Sequence, residues 1–328
     1  MKLAVGFILY EDITAQYLAE FLPSLQEALS FLAPTEVSVY VYDNSCPSHE
    51  LNRQAITVWQ ASLGSSSWSV VYQTEGKNQG FGRAYNILIR QAQANQAEYF
   101  LIINPDTKLE PESISRLLEV ISQDNSLGSV APKILRWERL APTVIKIIDS
   151  LGLELSAGLK FFDRGQGSID HNTLEAESIL GPSGAAGLFR MSALEKVAQN
   201  NGQKQYFDER FFMYKEDCDL AYRLFLAGYK SQLVPRACIY HDRSATSSGR
   251  GFFSLLRERS TKSRQIRSWS FFSQHLIYLK YWSNQDIRGR LLIVIRFIFY
   301  FIFSLILERF LLKEYLNVWR SYRGLTNI

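Results

Sequence analysis

The sequence predicts an α/β protein built on a doubly wound, mostly parallel sheet, and three observations support this prediction. Short runs rich in β-branched and aromatic residues alternate with longer segments in which apolar residues recur at helical spacing. That β-α-β-α order implies parallel strands with helices on both faces of the sheet. The 328 residues, of which 47% are hydrophobic and 21% charged, suffice for one large domain and an appendage.

Four apolar runs within the first 135 residues are predicted to be the parallel strands: LAVGFIL, VSVYVY, WSVVYQ and YFLII. Helical segments such as Ala15–Leu32 and Ala84–Ala94 separate them. The N-terminal stretch has one lysine, a short apolar run and no small-residue cleavage site, so a buried first strand is favoured over a signal peptide. The three cysteines lack a CxxC spacing, which argues against a disulfide scaffold or zinc site and favours a reducing, cytoplasmic location.

Polar loops follow three of these strands at the point where each strand ends. The second strand leads into DNSCPS with Asp43, the third into GKNQGFGRAYN with Asn78 and Gly80, and the fourth into NPDTKLEP with Asn104 and Asp106. Taken singly, each loop is better explained as an ordinary turn. Because the carboxyl ends of parallel strands meet at one edge of a sheet, we expect the loops together to form a ligand cleft.

The glycine-rich loop does not match a dinucleotide fingerprint. Tyr85 occupies the position of the third glycine, and the loop follows the third strand and not the first. Gly80 nevertheless allows the backbone to approach a phosphate or sugar closely at a helix N-terminus. Asp106 supplies the hard oxygen ligand that Mg²⁺ or Mn²⁺ uses on a diphosphate.

The stretch FFMYKEDCDLAYRLFLAGYK places Glu216, Asp217 and Asp219 within four residues, between aromatic residues and an apolar helical pattern. One acid suffices to cap a helix, and Asp219 is the residue that we assign to this role. The other two acids suggest a chemical function, such as a positioned base.

Six motifs resemble those of family-2 glycosyltransferases in order and approximate spacing, rhamnosyltransferase-like members in particular. They are VYDNSCPS, NQGFGRAYN, INPDTKL, GPSGAAGLFRMSALEKV, YFDERFFMYKEDCDLAYRLFLAGYK and VPRACIYHDRSATSS, and they cover about residues 3–248. The resemblance implies a GT-A fold, an inverting reaction and Mg²⁺ or Mn²⁺ as cofactor. It also implies a nucleoside-diphosphate sugar as donor, with dTDP-L-rhamnose as a candidate, and a saccharide or lipid-linked saccharide as acceptor in cell-surface polysaccharide synthesis.

The resemblance also assigns roles to individual residues. It makes Asp217 the catalytic base, and Asp106 and His241 the metal ligands. The donor site would comprise Tyr10, Asp43, Asn78, Gly80, Asn104 and Asp106, and the acceptor site Gly184, Ala185 and Glu216. Two structural alternatives stay open, namely that His241 is a buried structural histidine and that GPSGAAGLF is a close-packed turn.

The C-terminal region differs from the rest of the chain in charge. It holds 15 Lys+Arg against 4 Asp+Glu after residue 242, a net charge of +11, whereas residues 1–242 hold 21 against 28, a net charge of −7. The intervening sequences SWSFFSQHLIYLKYW and LLIVIRFIFYFIFSLIL are too apolar for a solvated nucleic-acid-binding arm. We therefore expect a membrane surface and no nucleic acid as its partner.

Leu291–Leu307 contains a single charged residue, Arg296, and as a helix would measure about 25 Å, slightly less than a hydrocarbon core of about 30 Å. Arg296, Tyr300, Ser304 and Glu308 recur every fourth residue as a polar stripe. With the basic and aromatic residues upstream, this pattern favours an interfacial amphipathic anchor over a span. Packing against the catalytic domain or a homodimer partner is the alternative.

These predictions give a domain organisation and a location. Residues 1–248 would form the glycosyltransferase domain, and residues 249–328 a helical region that holds it peripherally on the cytoplasmic face of the cell membrane. Two other functions stay open. A nucleotidyltransferase would need a basic triphosphate signature near the first strand, where ILYEDITAQ is acidic. A non-catalytic sugar-nucleotide-binding scaffold would be expected to lose the base, and Asp217 is present.

Overall fold

The structure is a computed structural model that describes residues 1–32, 35–64, 68–137, 139, 145–242 and 262–323. The strands are β1 (Lys2–Leu9), β2 (Glu36–Asp43), β3 (Ser69–Thr74), β4 (Tyr99–Ile103), β5 (Thr107–Leu109), β6 (Leu127–Arg136), β7 (Ile148–Ser150), β8 (Leu153–Ser156), β9 (Lys160–Asp163), β10 (Ser178–Ile179), β11 (Ala186–Arg190), β12 (Gln199–Asn201), β13 (Gln203–Gln205) and β14 (Lys230–His241). The helices are α1 (Glu11–Ala15), α2 (Leu18–Ser30), α3 (Glu50–Ser62), α4 (Phe81–Ala94), α5 (Ser113–Gln123), α6 (Met191–Val197), α7 (Glu216–Leu226), α8 (Arg264–Lys280), α9 (Ile287–Ile306) and α10 (Leu312–Arg323), with a 3₁₀ helix at Arg309–Leu311.

One large mixed sheet contains ten of the described strands. Eight of them lie in the order β10-β14-β6-β11-β4-β1-β2-β3, while β5 pairs with β14 and β7 with β6; β8 with β9 and β12 with β13 form two small separate sheets. The strands β3, β2, β1 and β4 are parallel neighbours, as are β6 and β14. In contrast, β11 runs antiparallel between β4 and β6. The predicted doubly wound, mostly parallel sheet is therefore confirmed, and its antiparallel pairs are concentrated in the second half.

The four predicted parallel strands are present, each within one residue of the predicted bounds. The two predicted helical segments appear as α2 and α4. In β2, Val39 and Val41 face one apolar core while Tyr40 and Tyr42 face the other. This alternation is what a strand buried on both faces requires.

The carboxyl ends of the parallel strands are level with one another. Leu9 pairs in register with Asp43, and Asp43 with Thr74. The backbone N–H of Asn44 then donates to the carbonyl of Leu9 at 2.8 Å, so the loop after β2 turns across the end of β1. The expected gathering of polar loops at one edge follows from this register.

The C-terminal helices share a core with the part of the chain that precedes them. Leu276 and Ile277 of α8 and Ile293 of α9 belong to the same buried cluster as Cys218 and Tyr222 of α7. The predicted division at 248/249 falls within residues 243–261, which lie outside the described ranges, as does Arg257 of the basic stretch. On the described residues, 262–323 pack against α7 and form no core separate from it.

The polar stripe of α9 faces the protein. Arg296 donates to the carbonyls of Ala157, at 3.1 Å, and Gly158, in the turn between β8 and β9. Ser304 is fully buried, and Glu308 accepts from Arg267 of α8 at 2.5 Å.

The opposite side of α9 is exposed and apolar. We call it the apolar face, and it comprises Leu291, Ile295, Ile298, Ile302 and Leu305, which are between 42% and 58% exposed. Within the described part of the chain, α9 is the one helix long and apolar enough to cross a membrane, with a mean hydropathy of 2.1. Length and composition alone are weak evidence for a span, so the orientation of the helix carries more weight.

Candidate active site

The carboxylate of Asp43, at the end of β2, is fully buried. It accepts hydrogen bonds from the Ser45 hydroxyl at 2.5 Å, the Tyr72 hydroxyl at 2.7 Å and the His49 backbone N–H at 3.1 Å. Buried charges are stable when several donors satisfy them in this way. Asp43 therefore fixes the loop after β2 in this structure, and contact between its carboxylate and a nucleotide base stays a prediction.

The glycine-rich loop is joined to the loop after β2. The amide oxygen of Asn78 accepts from the Gly80 N–H at 2.8 Å and from the Asn44 side chain at 3.0 Å. Gly80 has a φ of +77°, and a Cβ there would lie 2.5 Å from the carbonyl oxygen of Phe212. That carbonyl also accepts from the N–H of Phe81 at 3.1 Å, so the close approach that Gly80 permits is made by the protein's own backbone.

A cavity of about 420 Å³ lies between the loops after β1 and β2. Glu11, Asp12 and His49 are among its lining residues, and His49 Nε2 lies 3.2 Å from Asp12 Oδ1. The N–H of Tyr10 donates to the Thr14 hydroxyl at 2.7 Å, which fixes the start of the first loop. Sequence analysis assigned Tyr10 to the donor site and did not name the lining residues Glu11, Asp12 and His49, although the two acids directly follow Tyr10 in the sequence.

Asp106 and His241 are neighbours, as the sequence predicted. Residue 241 pairs with Thr107 across β14 and β5, which places His241 Nε2 at 3.4 Å from Asp106 Oδ2. Behind the ring, Nδ1 of His241 lies 2.8 Å from the buried Asp149 carboxylate. Burial lowers the pKa of His241, but the charges and hydrogen bonds of Asp106 and Asp149 raise it to about 10.

The residues around Asp106 fit a divalent cation, which would take the place of the His241 Nε2 proton. Asp106 Oδ1 is buried, and no donor among the described residues reaches it. A carboxylate behind the far nitrogen of an imidazole is the usual support of a metal-binding histidine, because it fixes the ring and the tautomer. No set of three protein ligands is preformed in the described ranges. The pair suits an ion that takes its other ligands from a diphosphate and water, as Mg²⁺ does.

The small-residue turn before β11 connects this site to the acids of α7. The N–H of Gly184 donates to Asp217 Oδ2 at 3.0 Å, and the carbonyl of Ala185 accepts from the N–H of Asn104 at 2.9 Å. A Cβ on Gly184 would lie 3.4 Å from Asp217 Oδ2. The turn thus lies between Asn104, two residues before Asp106, and Asp217.

The two acids at the start of α7 differ in environment. Asp217 is half-buried, and its other oxygen accepts from the N–H of Cys218 at 2.7 Å. Glu216 is buried, and its Oε2 has no hydrogen-bond partner in the described structure. Burial and the charge of Asp217 raise the pKa of Glu216 to about 8. A polar ligand entering beside Asp217 could satisfy that oxygen.

The assignment of Asp219 as a helix cap was wrong. The residue before α7 is Lys215, and no side chain among the described residues caps the helix there. Asp219 is fully buried and accepts from Lys280 at 2.5 Å, Tyr281 at 2.7 Å and Arg223 at 2.8 Å. The cap assignment failed because two of these three partners lie about 60 residues further along the chain.

Similarity to known proteins agrees with this geometry. Residues 8–197 match the family described as Glycosyl transferase family 2, and residues 155–320 match Glycosyl transferase family group 2. Two Mycobacterium tuberculosis proteins, from strains CDC 1551 / Oshkosh and H37Rv, are 33% identical over 190 residues. Each is an N-acetylglucosaminyl-diphospho-decaprenol L-rhamnosyltransferase. The match covers 53% of this chain and 59% of the relative, so the chain spans about three-fifths of these curated relatives.

Solved structures share the fold at low identity. TarS of S. aureus superposes with a TM-score of 0.53 at 15% identity, over 88% of this chain and 41% of TarS. The mannosyltransferase PcManGT from Pyrobaculum calidifontis, solved with GDP-Man and Mn²⁺, gives 0.54 at 12% identity, over 98% of this chain and 75% of PcManGT. These likenesses establish the GT-A fold. The family matches and the rhamnosyltransferase relatives agree with this fold. The chain belongs to glycosyltransferase family 2.

Proposed function

We propose that this chain is an inverting, metal-dependent glycosyltransferase that moves a sugar from a nucleoside-diphosphate donor to a hydroxyl of a saccharide or lipid-linked saccharide. The single observation that carries the proposal is the connection Asn104–Ala185–Gly184–Asp217, which joins the strand-end loop of Asp106 to a half-buried carboxylate. A donor diphosphate at Asp106 would have its sugar directed toward Asp217.

Asp217 is the proposed base. An acceptor hydroxyl that attacks the anomeric carbon must lose its proton as the new bond forms, and a positioned carboxylate can accept it. The N–H of Gly184 and the N–H of Cys218 hold the two Asp217 oxygens in a fixed orientation. The orphaned Oε2 of Glu216 offers a contact for a further acceptor hydroxyl, and Gly184 and Ala185 belong to the small-residue turn that contacts Asp217.

Asp106 and His241 are the proposed metal ligands, with Mg²⁺ or Mn²⁺ as the ion. When bound, such an ion neutralises the charge that develops on the departing diphosphate. Asp149 holds His241 from behind, and Asn104 positions the loop through its backbone contact with Ala185. Support comes from the unsatisfied Oδ1 of Asp106.

The proposed donor nucleotide occupies the strand-end loops at β1 to β4. Tyr10 begins the loop after β1. Asp43 fixes the loop after β2, and Asn78 and Gly80 fix the loop after β3. The rhamnosyltransferase relatives make dTDP-L-rhamnose the first donor to test. Their printed name also makes an N-acetylglucosaminyl-diphospho-lipid the first acceptor.

We further propose that residues 249–328 hold the catalytic domain, residues 1–248, on the cytoplasmic face of the membrane. Because the polar stripe of α9 faces the protein, the apolar face is exposed to water, which is unfavourable. A bilayer surface would cover the apolar face. Arg288 and Arg290 precede the apolar face and suit anionic headgroups.

Flotation with anionic liposomes tests this membrane proposal. The double variant Ile298→Glu with Ile302→Glu should leave the lipid fraction, whereas Val58→Glu, at an exposed apolar residue of α3, should float like the parent. A parent protein that stays at the bottom of the gradient at low salt, and sediments as a dimer, would favour a homodimer contact instead.

Turnover of nucleotide sugars tests the transferase proposal. Purified protein is incubated with dTDP-L-rhamnose, UDP and GDP sugars, Mg²⁺ or Mn²⁺, and a short-chain N-acetylglucosaminyl-diphospho-lipid, and nucleoside diphosphate release is measured. Asp217→Asn should bind the donor like the parent and transfer about 10² to 10⁴-fold more slowly. Release of pyrophosphate would indicate nucleotidyl transfer, and donor binding without turnover of any sugar would indicate a binding protein.

A further inference from the structure

We propose that Lys280, in the last turn of α8, is a positioning residue for Asp217. It would act by holding the acid segment, which we define as residues 208–219. The inference rests on the proposed transferase function and adds to it that the C-terminal helices support the base. Lys280 itself contacts neither donor nor acceptor in this proposal, because its ammonium is directed at two buried carboxylates.

Lys280 forms hydrogen bonds with both ends of the acid segment. Its Nζ donates to Asp208 Oδ2 at 2.7 Å and to Asp219 Oδ1 at 2.5 Å. The two carboxylate side chains are 1% and 0% exposed. Tyr281 adds a hydrogen bond to the same Asp219 oxygen at 2.7 Å. In such a dry environment, charge-assisted hydrogen bonds are strong and geometrically restrictive.

The middle of the acid segment also contacts α8. The rings of Phe212 and Trp269 lie 4.7 Å apart, and the Ser273 hydroxyl donates to the carbonyl of Met213 at 3.2 Å. Contacts from one helix therefore hold the segment at its beginning, middle and end. They lie in the part of the chain for which sequence analysis favoured membrane association and kept packing against the catalytic domain as the alternative.

The acid segment needs this external support because its own backbone is strained where α7 begins. Tyr214 and Lys215 both have a φ of +70°, a left-handed conformation that non-glycine residues rarely adopt. Such residues persist when the surrounding structure over-determines them. Asp217 follows two residues after Lys215, in the first turn of α7, so the orientation of its side chain depends on how the start of this helix is held.

Arg223 holds the segment from its other side. It donates to Asp219 Oδ2 at 2.8 Å and to the carbonyls of Val197 and Tyr206. Without Lys280, Asp219 would keep Arg223 and Tyr281, and Asp208 would keep Arg210. We therefore expect the protein to fold without Lys280, with the acid segment more mobile than in the parent.

The test compares Lys280→Met with Lys280→Arg and Tyr281→Phe, and uses Lys313→Met, at an exposed lysine of α10, as the matched control. Hydrogen–deuterium exchange of the full-length protein reports on residues 209–218 without requiring turnover. Exchange there should rise at least fivefold in Lys280→Met and stay unchanged in the control. Tyr281→Phe should give a smaller rise in the same peptides and serves if Lys280→Met does not fold.

Kinetics supply the second readout. Because a misplacement of about 1 Å can cost about 100-fold in rate, Lys280→Met should lower kcat about 10 to 100-fold while the donor KM stays within twofold. Lys280→Arg keeps the charge and should recover kcat to within about threefold of the parent. A lysine that only maintained the fold would instead lower the number of donor-binding sites per chain and kcat together, each in proportion to the folded fraction.

The outcomes separate this inference from the transferase proposal. Unchanged exchange at 209–218 in folded Lys280→Met and Tyr281→Phe overturns the inference whatever the activity. A kcat within twofold of the parent in folded Lys280→Met also overturns it. Increased exchange in a protein whose parent form turns over no nucleotide sugar would confirm the physical support and refute the transferase function that it was inferred to serve.

Discussion

Replacement of Asp219 by Asn tests whether this acid is a structural ion-pair partner or a replaceable cap. An Asn caps a helix about as well as Asp, so the cap assignment predicts almost no loss of stability. The structure predicts a large loss, because Asp219 is fully buried and accepts from Lys280, Arg223 and Tyr281. An Asn side chain keeps one oxygen but presents its amide N–H₂ group to one set of these donors.

The expected loss of stability depends on the hydrogen bonds that Lys280 and Arg223 keep in the variant. Removing one member of a buried ion pair costs about 3–5 kcal/mol, since the remaining charge is left unpaired. Lys280 retains Asp208, and Arg223 retains two carbonyls, so we expect the lower end, about 3 kcal/mol. At about 2 °C per kcal/mol for a chain of this size, the unfolding midpoint should fall by about 6 °C.

The assay is thermal unfolding followed by circular dichroism at pH 7, with Glu119→Gln, an exposed acid on α5, as control. Burial raises the pKa of Asp219, but Lys280 and Arg223 lower it below its ordinary value of 3.8. A lowered carboxylate pKa gives stability that is present above the ordinary value and lost as the pH falls through the folded one. The difference between variant and parent should therefore persist from pH 8 to 5 and shrink below about pH 4. A midpoint within 1 °C of the parent would refute the reasoning.

Three further changes test other parts of the site and fold. Asp106→Ala should remove the metal dependence of nucleoside-diphosphate binding, and equal affinity of the parent with and without EDTA in calorimetry would contradict the metal assignment. Glu216→Gln should raise the thermal unfolding midpoint when variant and parent are both measured between pH 7 and 8, because burial raises the pKa of Glu216 from 4.5 to about 8 and the parent loses stability as the pH rises from the first value to the second. Burial lowers the pKa of His275 from 6.5 to about 4, so its neutral form contributes stability that is lost as the pH falls between them. His275→Phe should remove about 2 kcal/mol of the parent's loss between pH 7 and 5 in urea unfolding, and an unchanged pH slope would count against a buried neutral imidazole.

The features that the sequence predicted well are those encoded locally. The four parallel strands follow from runs of β-branched residues that a few neighbouring positions define, and their shared edge follows from chain order. The proximity of Asp106 and His241 was also expected, because the family resemblance made both residues metal ligands. The antiparallel insertion of β11 was not foreseen, since a short strand carries no signal of its direction.

The features that the sequence did not reveal depend on distant partners. Asp149 supports His241 from 92 positions away, and its one local sign is an acid within the apolar run IKIIDSLGL. Gly80 looked like a phosphate-binding glycine, but Phe212 fills the space beside it. In each case the residue type predicted a close contact correctly, while the identity of the contacting group required the fold.

The orientation of α9 joins the two halves of the proposal. A polar stripe at every fourth residue shows that a helix is amphipathic, but it does not show which side meets the protein. Helix α8 contacts both α9 and the acid segment. The rings of Phe271 and Tyr300 of α9 lie 6.1 Å apart between centroids, and Trp269 contacts Phe212 of the acid segment. If the apolar face of α9 rests in lipid, the height of Asp217 above the membrane is set by one packed helix and its ion pairs. An acceptor whose diphosphate is tethered at the headgroup level presents its hydroxyl at a nearly constant height. A base held rigidly to the anchoring helix meets that geometric requirement, whereas a base on a freely hinged domain would meet it only part of the time.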